Sequence, residues 1–332
     1  MRTAELVAQG VWGMCSRDMI YSASKLFFAY GLGNSLSFPL SVGATSVLHR
    51  GRSTAEAVNR ILREYRPTIF CAVPTLFNSL LASGQAPKAG EHALRFCLSS
   101  GEALPAELGH AWRAWTGVDI VEGIGSTEML HMFISNRPAS VRYGTAGRPV
   151  PGCKVRLVDE DGAEVPFGET GELQVSGPTA AAGYWNQPEK TRATFLGDWT
   201  RTGDRFRQNS EGEFVYCGRA DDMLKVGGVW VSPTEVESAL ASHAAVSEVA
   251  VVGASDENGL IKSKAFVVLK PGVAPTDNLV RELQQAVKDR LAPYKYPRSI
   301  EFVPNLPRTA TGKLQRYMLS RRDEQTHGGS KQ

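Results

Sequence analysis

The sequence lacks a long apolar run and has no uninterrupted apolar segment near its beginning. Its longest apolar stretches, such as Leu26 to Leu32 and Val249 to Ala254, are far shorter than the roughly 18 residues that a membrane-spanning helix requires. Charged residues such as Glu5 and Arg17 interrupt the N-terminal segment where a secretory signal would carry its apolar core. We therefore expect a cytoplasmic protein with no membrane partner.

The sequence also lacks closely spaced cysteines and histidines. Its five cysteines are an odd number and lie far apart, and its six histidines show no HxxxH or HxH spacing. A disulfide framework needs paired cysteines, and zinc sites use closely spaced ligands. We therefore expect reduced thiols and no zinc site.

No charge of one sign dominates the chain. The 332 residues include 37 Lys+Arg and 34 Asp+Glu, which leaves a formal charge of +3, and 42% of the residues are apolar. These values exclude a disordered chain and argue against binding nucleic acid through bulk charge. At roughly 150 residues per domain, the length predicts about two domains, each with its own core.

Helical and strand patterns alternate in the first part of the chain. The apolar residues Ala57, Val58, Ile61 and Leu62 recur at helical spacing behind a Ser-Thr cap. Helices are expected at Ser53–Tyr65, Leu76–Ala82 and Pro105–Trp115, and strands at Thr68–Val73, Leu94–Leu98 and Asp119–Glu122. This alternation predicts an α/β fold with a parallel sheet.

The pattern of predicted secondary structure changes twice further along the chain. From Gly144, short strands between Gly-, Pro- and Asp-rich turns predict an antiparallel β subdomain. After the segment Gly218–Asp222, mixed helices and strands predict a small α+β domain. The expected divisions are residues 1–220, residues 221–320, and a frayed tail at residues 321–332.

Two polar segments come directly after predicted strands, where ligands usually bind in open α/β sheets. In Ser99–Pro105, glycine would let a flat ring approach the backbone closely. In Glu122–Glu128, backbone amides and hydroxyls could hold a phosphate, and Glu128 could carry Mg²⁺. Each segment alone also fits an ordinary turn or a solvated cap.

Two later segments carry further candidate groups. Thr200–Asp204 precedes a turn at Asn209–Gly212, and we expect it to form a rigid turn whose carboxylate accepts bonds from ribose hydroxyls. Pro307–Arg316 is a Gly- and Thr-rich loop that contains Lys313 and lacks the P-loop arrangement. An ordinary turn and a surface lysine are the respective alternatives.

The joint order of these segments resembles the acyl- and aryl-adenylate-forming ligases of the AMP-binding superfamily, which include the acyl-CoA synthetases. Within that superfamily, the chain looks most like the benzoate-CoA ligase group. The superfamily motifs are Ser100–Glu102, Gly125–Glu128, Thr202–Asp204, Gly218–Asp222, Lys225–Gly228 and Thr311–Lys313. The subgroup motifs are Lys25–Asn34, Gly123–Arg137 and Val229–Pro233.

The resemblance implies that residues 1–220 are the remainder of an AMP-binding (adenylation) domain and that residues 221–320 are its mobile C-terminal domain. It implies ATP, Mg²⁺ and coenzyme A as cofactors and an aromatic carboxylic acid as substrate. Asp221 matches the hinge between the two domains. The implied nucleotide-site residues are Gly101, Glu102, Ala103 and Ile124 at the adenine, Asp204 and Arg219 at the ribose, Thr127 at the α-phosphate, and Glu128 at Mg²⁺.

The resemblance further implies two half-reactions, adenylation of the acid and transfer of its acyl group to coenzyme A. Lys313 is the implied catalytic residue of the first, together with Thr127 and Glu128. Gly227 and Gly228 would line the pantetheine tunnel in the second, because their missing side chains leave room for a thin ligand.

The acid pocket is implied at Ala29, Tyr30, Gly125 and His131, where small Ala29 and Gly125 would leave a flat slot for a ring. A hydrogen-bonded core histidine is the alternative for His131. Three phenylalanines are expected to pack in the core rather than contact a ligand. They are Phe27, Phe28 and Phe133.

One expected part of the resemblance is missing. Relatives carry a Ser/Thr/Gly-rich phosphate loop upstream of the aryl motif. Met1–Leu6 resembles the segment immediately after that loop, so we expect an N-terminally truncated chain. Benzoate activation is the leading hypothesis, and a hydroxy-, amino- or heteroaromatic acid ligase is the alternative. A non-catalytic nucleotide-binding fragment, a homodimer and a complementing N-terminal half also stay open.

Overall fold

The computed structural model describes residues 2–226, 229–256, 260–308 and 314–320. The chain divides into two compact units, Met1–Tyr216 and Cys217–Gln332. Within the described ranges, no helix is both long and apolar enough to cross a bilayer. All five cysteines are free thiols, which confirms the expectation from their spacing.

The first unit contains a seven-stranded sheet and a second, antiparallel sheet. The strands of the first are β1 (Met19–Ser22), β2 (Thr45–Val47), β3 (Ile69–Ala72), β4 (Phe96–Ser99), β5 (Ile120–Gly125), β6 (Met132–Ser135) and β7 (Arg148–Pro149). Those of the second are β8 (Lys154–Val158), β9 (Thr170–Ser176), β10 (Phe195–Leu196), β11 (Trp199–Gln208) and β12 (Phe214–Arg219). The helices are α1 (Ala29–Leu32), α2 (Phe38–Val42), α3 (Ala55–Glu64), α4 (Pro74–Ala82), α5 (Ala106–Thr116) and α6 (Pro188–Thr194), with π-helical segments at Ala4–Gln9 and Gly33–Ser37.

The central strands of the seven-stranded sheet are buried on both faces. Its order is β2-β1-β3-β4-β5-β6-β7, with parallel pairing from β2 to β5 and antiparallel pairing beyond. Ile69 and Cys71 of β3 join one apolar cluster with Trp12, whereas Phe70 and Ala72 join another with helices α3 to α5. Because side chains alternate along a strand, a run of four apolar residues fits a sheet covered on both faces. The predicted parallel α/β architecture is confirmed.

In helix α3, the cap and the apolar face that the sequence predicts are both present. The Thr54 hydroxyl accepts a hydrogen bond from the Ala57 amide at 3.2 Å, so the expected cap is present. Val58, Ile61 and Leu62 lie buried on one face of the helix. The expected helix is confirmed, and its regular part begins two residues later than predicted, at Ala55.

The expectation of a rigid turn at Thr200–Asp204 is wrong. These residues lie inside β11, which pairs with β9 and has a register irregularity between Arg201 and Arg205. Gly203 adopts a φ of +71°, a left-handed conformation that glycine can adopt in a β-bulge as readily as in a turn.

The second unit is a small α+β fold. Its strands are β13 (Leu224–Val226), β14 (Val229–Val231), β15 (Val246–Ser255), β16 (Ile261–Leu269) and β17 (Ser299–Phe302), its helices are α7 (Pro233–Ala241) and α8 (Asp277–Lys288), and 3₁₀ turns lie at Ala220–Asp222 and Pro293–Lys295. Ser232 and Thr276 cap the two helices by accepting bonds from Glu235 N at 3.2 Å and Leu279 N at 3.1 Å. Apolar faces of both helices pack on β15 and β16. The sequence-based boundary between residues 220 and 221 stays a prediction.

Candidate functional site

Two of the predicted polar segments meet at one edge of the seven-stranded sheet. β4 ends at Ser99 and β5 ends at Gly125, and Ser99 pairs with Glu122 in the parallel register. The segments after these strands therefore lie side by side at their carboxyl ends, where α/β sheets bind ligands. Gly101 adopts a φ of +92°, a left-handed conformation that favours glycine.

A buried carboxyl group joins these two segments. Glu122 Oε1 accepts a hydrogen bond from the Leu104 backbone amide at 2.8 Å. Burial raises the pKa of Glu122 from 4.5 to about 8, and the bond from Leu104 opposes only part of that rise. The side chain is therefore mostly protonated at neutral pH and fixes the segment after β4 against β5.

The surface of the first segment suits a planar ligand. Gly101 and Ala103 are exposed, and Ile124 on the neighbouring strand is half-buried. Glu102 Oε2 accepts a hydrogen bond from the Thr75 hydroxyl at 3.0 Å, which ties the segment to the start of α4. The four residues expected at the adenine thus lie on two adjacent strand ends.

The turn after β5 presents Thr127 and Glu128. The Met129 amide donates to Ser126 Oγ at 3.3 Å, and the Leu130 amide donates to the Thr127 carbonyl at 3.1 Å. Thr127 is exposed and Glu128 is half-buried. The local backbone of this turn is therefore fixed, and the Glu128 carboxylate accepts a hydrogen bond from the Tyr184 hydroxyl.

Glu128 is an ionised carboxylate in this setting. Burial by itself would raise the pKa of Glu128, but hydrogen bonds from the Tyr184 hydroxyl, the Glu128 amide and Ser126, together with the charge of Lys190, lower it below its usual value. Among the described residues, no three His, Cys, Asp or Glu side chains cluster as a complete metal site. Glu128 could therefore contribute one carboxylate to a cation shared with a ligand.

His131 lies in an aromatic cluster beside this edge. Its ring centroid is 5.8 Å from Trp12, 5.4 Å from Tyr30 and 4.7 Å from Phe38. Neither imidazole nitrogen has a hydrogen-bond partner among the described residues, and the same holds for the side-chain amide of Asn34. Burial lowers the pKa of His131 to about 4, so the ring is neutral. Whether His131 serves as a pocket residue or as a core histidine stays a prediction.

Neighbouring small residues shape the surroundings of His131. A Cβ on Gly33 would lie 2.4 Å from His131 Cδ2, and a Cβ on Gly125 would lie 2.4 Å from the His131 carbonyl oxygen. Gly33 therefore makes room for the imidazole, and Gly125 is required by the close approach of β5 and β6. Tyr30 donates its hydroxyl to the Leu98 carbonyl at 3.0 Å, which fixes it against β4 next to half-buried Ala29.

Two of the three expected core phenylalanines lie elsewhere. Phe133 is buried, as predicted, but Phe27 is 79% exposed and Phe28 is 38% exposed. Both precede α1 in a loop, where apolar character alone does not decide burial. The prediction that Phe27 and Phe28 pack in the core is wrong.

The remaining predicted residues lie on other elements. Asp204 is half-buried at the β11 irregularity, where its amide donates to Thr202 Oγ1 at 3.1 Å. β12 begins in the first unit and ends in the second at Arg219, Asp221 lies in the 3₁₀ turn after it, and both residues are exposed. Gly227, Gly228 and Lys313 lie outside the described residues.

Comparison with protein-family models gives two matches in chain order. Residues 1–185 match the AMP-binding enzyme model, and residues 235–313 match the AMP-binding enzyme C-terminal domain. The chain belongs to the AMP-binding enzyme family. The resemblance inferred from the motifs is confirmed.

Individual relatives of this AMP-binding protein include aryl-CoA ligases. Benzoate–CoA ligase of Thauera aromatica is 59% identical over 320 residues, covering 96% of this chain and 61% of that protein. The 4-hydroxybenzoate–CoA/benzoate–CoA ligase of Rhodopseudomonas palustris is 52% identical over 314 residues, covering 94% and 58% respectively. The chain thus spans about three fifths of the length of these relatives.

Solved structures agree with this assignment. A benzoate CoA ligase from Burkholderia xenovorans LB400 matches at a TM-score of 0.91 and 55% identity, over 96% of this chain and 64% of that one. An anthranilate CoA ligase in complex with anthranoyl-AMP matches at a TM-score of 0.93 and 45% identity, over 98% and 64% respectively. The mixed α/β architecture is therefore that of this family.

Sequence reasoning missed several residues around the site. Trp12 and Phe38 contact the His131 ring, and the Tyr184 hydroxyl donates to Glu128. The Tyr184–Glu128 contact joins positions 56 residues apart, and no local pattern indicates it.

Proposed function

We propose that this chain forms the larger part of an aryl-CoA ligase that activates a benzoate-like acid with ATP and transfers the acyl group to coenzyme A. The observation that carries the proposal is the position of a neutral, aromatic-lined His131 beside the two polar strand ends of the sheet. A sequence identity of 59% to a benzoate–CoA ligase supports the choice of acid.

The nucleotide would bind along the carboxyl ends of β4 and β5. The exposed backbone at Gly101 and Ala103 would take the adenine with Glu102 and Ile124, and Thr127 would contact the α-phosphate. Asp204 and Arg219 are proposed for the ribose hydroxyls. A carboxylate accepts and a guanidinium donates hydrogen bonds, so the two residue types suit a diol.

Glu128 fits the Mg²⁺ that the family implies. Its carboxylate is ionised, oxygen is the donor that Mg²⁺ prefers, and one or two carboxylates plus substrate phosphates are a common magnesium environment. Bound Mg²⁺ would neutralise phosphate charge and help pyrophosphate to leave. The protein's own contribution is to hold the Glu128 carboxylate in place and charged.

The acid would occupy the space beside Ala29, Tyr30, Gly125 and His131. Because the imidazole is neutral and its nitrogens have no partner among the described residues, it can contact the aromatic ring of the acid or a substituent on it, and no buried charge has to be neutralised. Apolar walls with a few polar groups are typical of sites for small aromatic ligands.

The first half-reaction joins two negatively charged partners. A carboxylate oxygen attacks the α-phosphorus, a P–O bond forms to give the acyl-adenylate, and the bond to pyrophosphate breaks. The transition state concentrates charge on the phosphoryl oxygens, which a positioned ammonium offsets. Lys313 is proposed for this role, with Thr127 contacting the same phosphate.

The second half-reaction transfers the acyl group to sulfur. The coenzyme A thiolate attacks the carbonyl carbon of the acyl-adenylate, the C–S bond forms, and the C–O bond to AMP breaks. Gly227 and Gly228 are proposed to admit the pantetheine arm. Asp221 is proposed as the hinge about which residues 221–320 move between the two steps.

A ligase for a substituted benzoate is the second candidate. The buried Asn34 amide and the His131 ring both lack hydrogen-bond partners among the described residues, so a hydroxyl or amino substituent could pair with either. Relatives include a 3-hydroxybenzoate–CoA ligase at 37% identity and an anthranilate–CoA ligase at 37% identity. Unpaired buried polar groups favour the substituent that pairs with them.

We further propose that additional polypeptide covers one edge of the large sheet. Within the described residues, β2 pairs on one side only, and Leu40 and Leu48 beside it are 71% and 64% exposed. The relatives are longer than this chain, so the segment they contain beyond the matched region is the proposed occupant. It would belong to the same protein or to a separate complementing half, and a homodimer is the alternative.

Mass spectrometry of the complete reaction tests the proposed function. The purified chain is incubated with MgATP, coenzyme A and a panel of benzoates, and acyl-CoA and AMP are measured separately. Benzoyl-CoA supports the full activity, and its appearance only after addition of the remaining polypeptide supports the complementing half. If benzoyl-adenylate and coenzyme A supplied together also give no thioester in either mixture, the proposal fails.

A further inference from the structure

The loop before α6 holds Glu128 by both its side chain and its backbone. The Tyr184 hydroxyl donates a hydrogen bond to Glu128 Oε1, and the Ala181 amide donates to the Glu128 carbonyl at 2.7 Å. Two contacts from residues 181–184 therefore define where the carboxylate lies. The side-chain bond uses one of the acceptor positions of the carboxylate, and the others can coordinate a cation.

Tyr184 is itself placed by several contacts. Its backbone amide donates to Thr191 Oγ1 at 2.9 Å, and its ring makes an edge contact with Phe195 at 5.6 Å between centroids. Lys190 Nζ lies 4.3 Å from the ring centroid, a cation–π distance. The hydroxyl is thus presented to Glu128 by a ring whose position is already determined.

Gly183 permits this arrangement. It has a φ of +154°, and a Cβ at this position would lie 2.6 Å from Thr191 Cγ2. The chain therefore passes close to α6 immediately before Tyr184. This close approach brings the Thr191 hydroxyl to the Tyr184 amide.

We propose that Tyr184 is a positioning residue for Glu128, whose hydroxyl fixes the carboxylate in the orientation that binds Mg²⁺ beside the nucleotide phosphates. The inference rests on the proposed function, because that function places the cation at Glu128. Groups that orient a metal ligand through a hydrogen bond typically change metal affinity by about tenfold or more when removed. Tyr184 has the geometry of such a group.

The charges around the pair agree with this role. The hydrogen bond to Tyr184 lowers the pKa of Glu128, and Lys190 acts in the same direction. Burial first, and the bond to Glu128 second, raise the pKa of Tyr184, so the proton stays on the tyrosine. The Tyr184 hydroxyl therefore stays a donor to the Glu128 carboxylate.

Mn²⁺ binding measured by electron paramagnetic resonance tests the proposal. The full chain is titrated with Mn²⁺ in the presence of a non-hydrolysable ATP analogue, and the signal of the analogue alone is subtracted. We expect Tyr184→Phe to weaken Mn²⁺ binding by roughly tenfold. Trp185→Phe, at a neighbouring aromatic residue that is 92% exposed, is the matched control and should leave Mn²⁺ binding unchanged.

Two further variants separate the possible failures. Thr191→Val removes the partner of the Tyr184 amide and should weaken Mn²⁺ binding in part, whereas Thr191→Ser keeps a hydroxyl and should restore it. If Glu128→Gln weakens Mn²⁺ binding but Tyr184→Phe has the same Mn²⁺ affinity as Trp185→Phe, the positioning role alone is overturned. If Glu128→Gln binds Mn²⁺ like the unaltered chain, the metal role of Glu128 in the proposed function fails and the inference fails with it.

Discussion

Replacing Glu122 by glutamine is predicted to flatten the pH dependence of the unfolding free energy of the first unit. Burial raises the pKa of Glu122 from 4.5 to about 8 in the folded protein. Below its ordinary value, both folded and unfolded chains hold the proton, and this contribution to stability is fully present. As the pH rises toward the folded value, the unfolded chain releases the proton first, so unfolding becomes easier.

The size of this effect follows from the difference between the pKa of Glu122 in the unfolded chain and its pKa in the folded protein. Each pH unit in this interval changes the unfolding free energy by about 1.4 kcal/mol for one group. Between pH 5 and pH 7.5, Glu122 therefore lowers the stability of the unaltered protein by about 3 kcal/mol. A glutamine keeps an oxygen that can accept the Leu104 amide bond but does not titrate, so the variant should lack this decline.

Urea unfolding followed by tryptophan fluorescence measures the effect, because five of the six tryptophans lie in the first unit. The midpoint and slope are recorded at several values between pH 5 and pH 7.5 for the unaltered protein and for Glu122→Gln. Glu169→Gln, at an exposed carboxylate in a turn, is the matched control. Equal pH slopes for Glu122→Gln and the control would refute the reasoning.

Three other substitutions give separate expectations. His131→Leu should lower the free energy of unfolding by less than about 1.5 kcal/mol but change the selectivity among ring-substituted benzoates in the thioester assay. Unchanged selectivity would exclude His131 from the pocket. Gly33→Ala should destabilise by about 1–3 kcal/mol in urea, because its Cβ meets the His131 ring; a neutral result contradicts that packing. Asp18→Asn should lower the free energy of unfolding by about 2 kcal/mol at pH 7, since Arg95 donates to both Asp18 oxygens at 2.8 and 2.7 Å.

The Asp18 effect has its own pH signature. Burial by itself would raise the pKa of Asp18, but bonds from Arg95, the Cys15 amide and Thr68 lower it overall. The stability from this carboxylate is therefore present above its ordinary value of 3.8 and lost as the pH falls through the lowered folded value. The difference between the unaltered protein and Asp18→Asn should shrink in acid, and a constant difference would contradict the ion pair.

Local patterns predicted those elements whose stability is decided locally. β3 is an uninterrupted apolar run, β4 is apolar up to its last residue, Ser99, and α3 carries its own cap and apolar face. β2 has three residues and half-polar character, so its place at the sheet edge depends on pairing with β1 rather than on its sequence. The Thr-Gly-Asp sequence in β11 fits both a turn and a bulge, and pairing with β9 decides between them.

The candidate site likewise has some features that the sequence predicts and others that depend on tertiary packing. The segments after β4 and β5 could be predicted because polar residues come after buried strands, and parallel neighbours end at the same edge. The tertiary contacts could not, because Tyr184 approaches Glu128 and Trp12 approaches His131 from distant parts of the chain. Such contacts depend on packing, which residue spacing does not encode.

Binding of a stable acyl-adenylate analogue tests the central claim most directly. A benzoyl-sulfamoyl adenosine is titrated into the purified chain by calorimetry, with His131→Leu and an exposed-site variant, Glu169→Gln, measured alongside. We expect one saturable site that AMP competes for, weakened in His131→Leu and unchanged in Glu169→Gln. Absence of saturable binding, or equal binding by both variants with no competition from AMP, would contradict an aryl-adenylate site at the edge of this sheet.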